Sequence, residues 1–140
     1  MPKAKNITRA RQQTAPVWAG DGIDYLNVLP GGGILEIDNF PPDADGRINV
    51  RAGTLLGRTY AERDAATGWG LADPATDDQF YLLLFDVYDA NLNNNHSSDE
   101  IEFYRHNRLI YENMLPGWDT ATSSYKAKIR ELYECILGVD

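Results

Sequence analysis

The sequence contains only one cysteine and two histidines, and it has no long uninterrupted apolar run. The single thiol, Cys135, cannot form an intramolecular disulfide, and its apolar neighbours predict a buried, inert side chain. No apolar stretch approaches the roughly 20 residues that a membrane-spanning helix requires. The first 16 residues also lack the apolar centre of a signal peptide. We therefore expect a protein that is made in the cytoplasm and has no membrane partner.

Patterns typical of catalytic and cofactor-binding sites are missing as well. His96 and His106 lie in polar segments without a nucleophile motif nearby, and with one cysteine they do not form a zinc pattern. The three glycines at 31–33 lack both the P-loop lysine and the GxGxxG spacing of phosphate-binding loops. We therefore predict that the protein is not an enzyme and has no cofactor. Both histidines are expected at the surface.

Residues 89–100 partly match the sequence pattern of a calcium-binding loop. Asp89, Asn91, Asn93 and Glu100 occupy positions 1, 3, 5 and 12 of the EF-hand loop pattern. Position 6, where the pattern has glycine, is Asn94. The loop also follows an apolar strand, whereas an EF-hand loop follows a helix. The sequence therefore favours a solvated hairpin loop without a metal, and calcium binding stays an alternative.

The length and composition predict one domain with a core of its own. At 140 residues, 43% of them hydrophobic, the chain is long enough to bury about 68% of its unfolded surface. Short segments with strand character, separated by turn-forming residues, indicate β structure. They lie at 33–38, 47–51, 52–59, 80–87 and 100–104.

Two of these segments make specific predictions about the core. Residues 80–87 are apolar almost throughout, which is typical of either a strand buried on both faces or part of a helix. The turn-forming residues on both sides favour the strand, which would lie at the centre of the core. In the segment at 52–59, Gly53 and Gly57 bracket a strand whose Leu55 or Leu56 is expected to face inward.

The end of the chain has the periodicity of an amphipathic helix. Its apolar residues follow the i, i+4, i+7, i+8 and i+11 positions of one helix face: Tyr125, Ile129, Leu132, Tyr133 and Ile136. Thr122, Ser123 and Ser124 are candidate N-caps, and Gly138 is expected to end the helix. We expect the apolar stripe to pack on the protein's own β structure.

Charge is distributed unevenly along the chain. The first 20 residues carry +4 without an acid, and the remaining 120 carry 9 basic and 21 acidic residues, a balance of −12. The basic residues of this N-terminal segment are Lys3, Lys5, Arg9 and Arg11. Trp18 and Tyr25 follow them, so the segment has the composition of an attachment arm for an acidic partner. It pairs as an added strand either with that partner or with its own body.

These observations predict a mixed, β-rich α+β fold. We expect a small β-barrel or sandwich-like body at 34–140 with one C-terminal amphipathic helix, preceded by an extended N-terminal arm at 1–33. Nucleic acid is not an expected partner, because four basic residues without interleaved aromatics are a small footprint and phosphates would repel the acidic body.

The order of segments from 52 to 139 resembles the head decoration proteins of tailed phages, the family typified by the lambda capsid-stabilising protein. In that family the β part opens on an Ala-Gly-Thr, two apolar residues, Gly, a basic residue and Thr. The chain has the matching residues Ala52, Gly53, Thr54, Leu55, Leu56, Gly57, Arg58 and Thr59. A Gly- and Asp-rich turn, an apolar strand, an acidic loop, the Leu115-Pro116-Gly117 elbow and a terminal helix follow. The resemblance covers 88 of 140 residues.

The resemblance implies a function as a capsid decoration or cement protein. Such a protein binds the outer surface of the bacteriophage head as a homotrimer at three-fold or quasi-three-fold sites, and it stabilises the capsid against DNA pressure. It is made in the host cytoplasm and located on the virion, and its partners are the major capsid protein and itself. The family's N-terminal arm binds the capsid, a role that we extend to the region before Gly31. The arm residues are Lys3, Lys5, Arg9, Arg11, Trp18 and Tyr25.

A second class of function stays open from the residues alone. The chain is also consistent with a solitary β-rich module that binds calcium or carbohydrate. In that case Trp18, Trp69 and Trp118 are the candidate stacking platforms for sugar rings.

Overall fold

The structure is a computed structural model. It describes residues 16–22, 26–36, 40–42, 44–46, 48–87, 92–93, 96–97 and 101–138, with the backbone alone at 30–32, 92–93 and 96–97. The strands are β1 (Val28–Gly33), β2 (Leu55–Arg58), β3 (Gly70–Leu71), β4 (Gln79–Leu83), β5 (Leu92–Asn93), β6 (His96–Ser97), β7 (Ile101–Tyr104), β8 (Leu109–Tyr111) and β9 (Glu134–Ile136). The helices are α1 (Tyr60–Asp64) and α2 (Ser123–Leu132), with 3₁₀ turns at Glu112–Met114 and Trp118–Thr120.

A five-stranded antiparallel sheet forms the centre of the described structure, with the strand order β1-β7-β4-β2-β3. The apolar strand β4 lies in the middle, where Leu82 pairs with Leu55 of β2 and with Tyr104 of β7. Two smaller pairs complete the described strands: β5 with β6, and β8 in parallel with β9. The predicted central strand and the mixed, β-rich α+β fold class with one C-terminal helix are therefore confirmed.

Both faces of the sheet are covered, since successive residues of a strand point to opposite sides. We call one side the helix face, because α2 packs there. Its core consists of Trp18, Ala19, Leu55, Phe80, Leu82, Leu84, Tyr104, Ile110, Leu115, Trp118, Ile129 and Tyr133. The other side, the loop face, is covered mainly by irregular chain and contains Leu35, Phe40, Ile48, Val50, Leu56, Trp69, Leu83, Val87, Ile101 and Phe103. Leu55 and Leu56 are both fully buried, one on each side, so the predicted inward-facing strand has two inward faces.

The segment predicted as a strand at 47–51 has the expected alternation without a continuous ladder. Ile48 and Val50 are buried on the loop face, and Val50 makes a single antiparallel bridge to Val87. Leu35, in the segment predicted at 33–38, similarly makes one parallel bridge to Trp69. The strand pattern therefore correctly identified buried side chains in segments that carry only isolated pairings.

The C-terminal helix is shorter than its periodicity predicted. Thr122 is its N-cap, with its Oγ1 accepting from the Tyr125 N–H, but the helix ends at Leu132 and not at Gly138. The next residues extend as β9 and pair with β8, so Ile136 is 42% exposed and does not join the apolar helix stripe. Cys135 is consequently on a strand, partly buried, and burial raises the pKa of its thiol to about 11.

The short helix α1 was not predicted from the sequence. The five residues of α1 follow Thr59, whose side chain accepts from the Glu62 N–H while the Glu62 carboxylate accepts from the Thr59 N–H. This reciprocal capping box satisfies two amides that the helix itself leaves without acceptors. The Thr-x-x-Glu spacing was visible in the sequence and is the signal that predicts this helix.

In the described residues, no helix is long and apolar enough to cross a membrane.

Candidate docking surface where the N-terminal segment joins the body

The N-terminal segment joins the body beside β8. Ala19 makes an antiparallel bridge to Ile110, the Gly20 N–H donates to the Leu109 carbonyl over 3.0 Å, and the Tyr111 N–H donates to the Trp18 carbonyl over 2.9 Å. Further along, β1 pairs with β7 at the edge of the main sheet. The described part of the predicted arm thus adds to its own body, which is one of the two pairings that the sequence left open.

Trp18 fixes this junction in the core. It is 2% exposed, and its ring meets the Tyr104 ring edge-on at a centroid distance of 5.3 Å. The indole lies so close to Gly53, whose φ is +94°, that a Cβ there would lie 2.7 Å from the indole Nε1 and 2.7 Å from Pro116 Cδ. Glycine is therefore required at this position both for the backbone conformation and for the approach of the indole.

A network of polar contacts around Tyr104 holds the same segment. The Tyr104 hydroxyl accepts from the Asp21 N–H over 3.1 Å and donates to the Leu109 carbonyl over 2.9 Å. The Asp21 carboxylate in turn accepts from the Leu109 N–H over 2.8 Å. Removal of residues 16–22 would take the Asp21 N–H from the Tyr104 hydroxyl and the Asp21 carboxylate from the Leu109 N–H, so the segment contributes to the fold.

The last described residues run along the other side of β8. After β9, the Gly138 N–H donates to Asn113 Oδ1 over 2.6 Å, and the Asn113 amide donates to the Gly138 carbonyl over 3.1 Å. Gly138 also lies close to the Met114 thioether, since a Cβ on it would approach that side chain to 2.9 Å. Met114 therefore connects the C-terminal segment with the pocket described next.

A half-open pocket of about 340 Å³ lies beside Pro16, the first residue that the structure describes. Its lining consists of Pro16, Val17, Trp18, Arg51, Ala52, Leu84, Phe85, Asp86, Met114 and Pro116. Most of these side chains are apolar, and two are charged. The Asp86 carboxylate accepts from the Ala52 N–H over 2.6 Å.

Exposed apolar side chains lie next to this pocket. Val17 at the pocket is 73% exposed, and Leu137, which precedes the Gly138 contact with Met114, is 70% exposed. Ile136 pairs with Tyr111, whose N–H binds the Trp18 carbonyl. We call Val17, Met114, Ile136 and Leu137 the junction patch. Of these residues, Val17 and Met114 line the pocket, and Ile136 and Leu137 precede Gly138, which contacts Met114. Isolated surface apolar residues are ordinary, whereas clustered ones are typical of an interaction surface.

An ion pair supports the base of this surface. Arg130 of α2 binds the buried Glu112 with both ends of its guanidinium, Nε to Oε1 at 2.9 Å and a terminal nitrogen to Oε2 at 2.7 Å. The hydrogen bonds from Arg130 hold the pKa of Glu112 below its ordinary value. Because Glu112 directly precedes Asn113 and Met114, the pair ties the helix to the segment that forms the patch.

Of the six residues that the sequence assigned to the capsid-binding arm, the structure describes only Trp18. Trp18 lies in the core, so its ring is not free to contact a partner. The other five lie outside the described residues: Lys3, Lys5, Arg9, Arg11 and Tyr25. Sequence reasoning missed Arg51 and the junction patch, because nothing in the sequence shows that residues 16–18, 51–52, 84–86 and 114–116 meet.

The tryptophans proposed as sugar platforms are all buried. Trp69 and Trp118, like Trp18, have less than a tenth of their surface exposed. The Arg58 guanidinium lies 4.3 Å from the Trp69 ring centroid, and Lys126 and Arg130 lie 5.1 and 5.3 Å from the Trp118 ring. Sugar stacking requires an accessible aromatic face, which none of the three provides.

His106 is not a simple surface residue, contrary to the prediction. Its Nε2 lies 2.6 Å from the Phe80 carbonyl, and its ring stacks on Tyr81 at 4.2 Å. It also meets the Tyr133 ring edge-on at 5.7 Å, so it connects aromatic side chains of both sheet faces.

The side chain of His96 and the full loop at 89–100 lie outside what the structure describes. Among the described residues, no group of three or more His, Cys, Asp or Glu side chains could hold a metal ion.

Comparisons of the chain with protein-family models, with curated proteins and with solved structures found no match.

Proposed function

We propose that the chain is a head decoration, or cement, protein of a tailed phage. It binds the outer surface of the capsid as a homotrimer, with the major capsid protein as its partner, and stabilises the head. The observation that carries the proposal is the junction itself. A segment with four basic residues and no acid before residue 16 leads directly into a surface of exposed apolar side chains on an acidic body.

The basic N-terminal segment and the exposed apolar surface would contribute to binding in different ways. Clustered positive charge attracts an acidic partner and accelerates encounter, and this effect weakens with salt. Exposed apolar area favours binding when it is buried against a partner, and the part that exceeds the entropic cost of association appears as affinity. A capsid lattice presents many identical sites, so modest contacts repeated around a trimer add up to stable attachment.

The main alternative, a carbohydrate-binding module, loses its physical basis in the described structure. The three tryptophans that were its candidate platforms are buried, and two of them have cationic side chains against their rings. Calcium binding at 89–100 stays open, since that loop lies outside the described residues. Isothermal titration with millimolar calcium tests it, and absence of heat would exclude the site.

The test of the proposed function is co-sedimentation with undecorated heads, assembled from the major capsid protein of the same phage. We expect wild-type protein to sediment with the heads and to raise the temperature at which they rupture. Light scattering of the protein released from washed heads should give the mass of a trimer. A protein that stays monomeric and ignores the heads would contradict the proposal.

The structure determines which truncation isolates the arm. Deleting residues 1–15 leaves every described contact in place, whereas a deletion to residue 30 would also remove Trp18, Ala19 and part of β1 from the body. We expect the deletion of 1–15 to abolish sedimentation while the far-UV circular dichroism stays unchanged. A variant with Lys3, Lys5, Arg9 and Arg11 all changed to glutamine is the matched control for charge. Its binding should resemble that of the deletion at physiological salt.

A further inference from the structure

We propose that the outer edge of β9 is a pairing site for a second copy of this chain, in which the two β9 strands run antiparallel around a two-fold axis at Ile136. The contact goes beyond the proposed function, because it joins free protein and needs no capsid. A two-fold contact also differs from the contacts around the three-fold axis of a trimer.

The backbone of the C-terminal segment bonds to the β8 side at alternate residues. The Glu134 N–H donates to the Arg108 carbonyl over 3.0 Å, at the start of the parallel pair of β8 and β9. At the other end, Gly138 exchanges two hydrogen bonds with the side chain of Asn113, which lies just after β8. Since strands have a period of two, Ile136 between them also directs its backbone groups to β8.

Cys135 and Leu137 therefore direct their N–H and C=O groups to the outer edge of β9. Within the described residues, no strand pairs with this edge and no hydrogen bond reaches these four backbone groups. Leu137 and the neighbouring Ile136 are both exposed. The edge is thus accessible to another extended chain, which would bond the unpaired groups as an added strand does.

Two other sheet edges have protection that β9 lacks. Proline, irregular register and a covering chain all prevent unwanted strand pairing. At the β1 edge, Pro30 lies in the strand, and the pairing with β7 shifts register between Leu29 and Gly33. At the β3 edge, the adjacent Trp69 is bridged to Leu35. In contrast, β9 contains no proline, and within the described residues no chain bridges its outer edge.

A second β9 strand matches this edge in one antiparallel register. With the two-fold axis at Ile136, Cys135 of each copy lies opposite Leu137 of the other, and the two pairs form four backbone hydrogen bonds. With the axis at Cys135, Leu137 would instead lie opposite Tyr133, whose N–H is already bonded to the Ile129 carbonyl. Only the register at Ile136 uses all the free groups of Cys135 and Leu137.

The side chains also fit in this register. The two Ile136 side chains face each other at a non-hydrogen-bonded pair, where side chains are closest, and Leu137 faces Cys135 of the other copy. Glu134 lies opposite Gly138, so the Glu134 carboxylates of the two copies do not oppose each other. A second copy supplies this match by symmetry, and pairing would cover the Ile136 and Leu137 part of the junction patch.

The contact is small, so we expect a weak dimer. The few residues of each strand are far fewer than the roughly 20–30 on each side of a stable interface. Each copy carries a net charge of −8, so two copies repel at long range. Salt screens this repulsion and leaves the hydrogen bonds and apolar contacts in place, so association should strengthen with ionic strength. Attachment to a basic partner would instead weaken with salt.

Oxidative cross-linking tests the register directly. In a Cys135→Ala background, Ile136→Cys places two thiols opposite each other, where a Cα–Cα distance of about 4.5 Å suits a disulfide. Leu71→Cys in the same background is the matched control, because Leu71 is 46% exposed on β3 and Ile136 is 42% exposed. We expect Ile136→Cys to form a covalent dimer at least about tenfold faster than the control.

Two results of the cross-linking experiment would overturn the inference. Equal rates for Ile136→Cys and Leu71→Cys would mean that the copies meet only by random collision. Faster cross-linking through the native Cys135 than through Ile136→Cys would exclude the register with its axis at Ile136.

Sedimentation equilibrium measures the association without a covalent bond. We expect the wild-type mass to rise toward that of a dimer with concentration, and Ile136→Lys to weaken association at least about tenfold, because two like charges then face each other. Leu71→Lys should leave it unchanged. Leu137→Pro removes an outer N–H without adding charge and should also weaken pairing. Circular dichroism confirms that each variant is folded.

A protein that stays monomeric at every concentration, or a dimer that Ile136→Lys leaves unchanged, would contradict the β9 pair. Both measurements use free protein, so their failure is distinguishable from failure of the proposed function. If pairing is absent and heads are still bound, the cement function stands alone. If pairing is observed and heads are not bound, the cement function fails and the β9 pair stands.

Discussion

The two faces of the central sheet are covered in physically different ways. On the helix face, tyrosine hydroxyls bind the sheet backbone: the Tyr125 hydroxyl accepts from the Leu55 N–H, and the Tyr133 hydroxyl accepts from the Leu82 N–H and donates to the Tyr104 carbonyl. On the loop face, isolated bridges and aromatic contacts predominate, such as Trp69 against Phe103 at 4.8 Å. The helix face is thus fixed by side-chain hydroxyls that bond the sheet backbone, whereas the loop face is held by backbone bridges and apolar packing.

The difference matters for the candidate site, because Trp18, Ala19 and Met114 pack on the helix face. Directional bonds fix positions more narrowly than apolar contacts, which tolerate exchange of similar shapes. The candidate surface therefore lies on the side where side-chain hydroxyls bond the sheet backbone.

The largest expected effect comes from placing a charge in the loop-face core. Leu83→Asp puts an unpaired carboxylate at a fully buried position of the central strand, and we expect a loss of at least about 4 kcal/mol in unfolding free energy. Urea denaturation measures it. Leu83→Ala, at about 2–5 kcal/mol, gives a value if the aspartate variant does not fold. The matched control is Leu71→Asp on β3, which is 46% exposed and should change stability by only about 0.5 kcal/mol.

A smaller effect is expected from one hydroxyl on the helix face. Tyr133→Phe leaves the buried Leu82 N–H and Tyr104 carbonyl without these bonds, and we expect a loss of about 2 kcal/mol. Tyr81→Phe is the counterpart on the loop face, where the Tyr81 hydroxyl makes no hydrogen bond with a described residue, and its effect should stay within about 0.5 kcal/mol. Equal losses for the two variants would remove the contrast between the faces.

The smallest effect concerns pH and the Glu112–Arg130 pair. Because the pKa of Glu112 is lowered in the folded state, its contribution is fully present above the ordinary value of 4.5 and is lost as the pH falls through the folded-state pKa. Glu112→Gln should therefore reduce the loss of stability on acidification below pH 4.5, with little change in slope near neutrality. The effect is modest since Arg130 is largely in solvent. Denaturation curves at several pH values measure it, and unchanged acid sensitivity would contradict the assignment.

The sequence predicted the parts of the fold that depend on local pattern. The strand predicted at 80–87 is present as β4 but ends at Leu83. The alternation predicted at 100–104 forms β7, and the N-terminal half of α2 lies where expected. Prediction from the sequence failed where tertiary contacts determine the backbone conformation. The helical period continues to Ile136, but Tyr133 has an extended backbone at the end of α2 and the following residues pair with β8. Pro30 and the three glycines at 31–33 lie within β1, which pairs with β7 through Val28, Leu29 and Gly33.

The candidate site was less predictable than the fold. From the sequence, a tryptophan in a polar N-terminal segment is as consistent with a partner contact as with a place in the core. Trp18 lies in the core because its ring packs against Tyr104 and Gly53, which are distant in sequence. The pocket draws on four separate stretches of chain, so no local pattern signals it.

The burial of all three tryptophans also provides a spectroscopic readout of the two faces. Trp18 and Trp118 belong to the helix face, and Trp69 is the indole of the loop face. In a Trp69→Phe protein, intrinsic fluorescence would therefore come from the helix face alone, whereas a protein with Trp18 and Trp118 replaced by phenylalanine would emit from the loop face alone. Coincident emission changes during denaturation would mean that the two sides melt as one cooperative unit, and separate transitions would identify which side opens first.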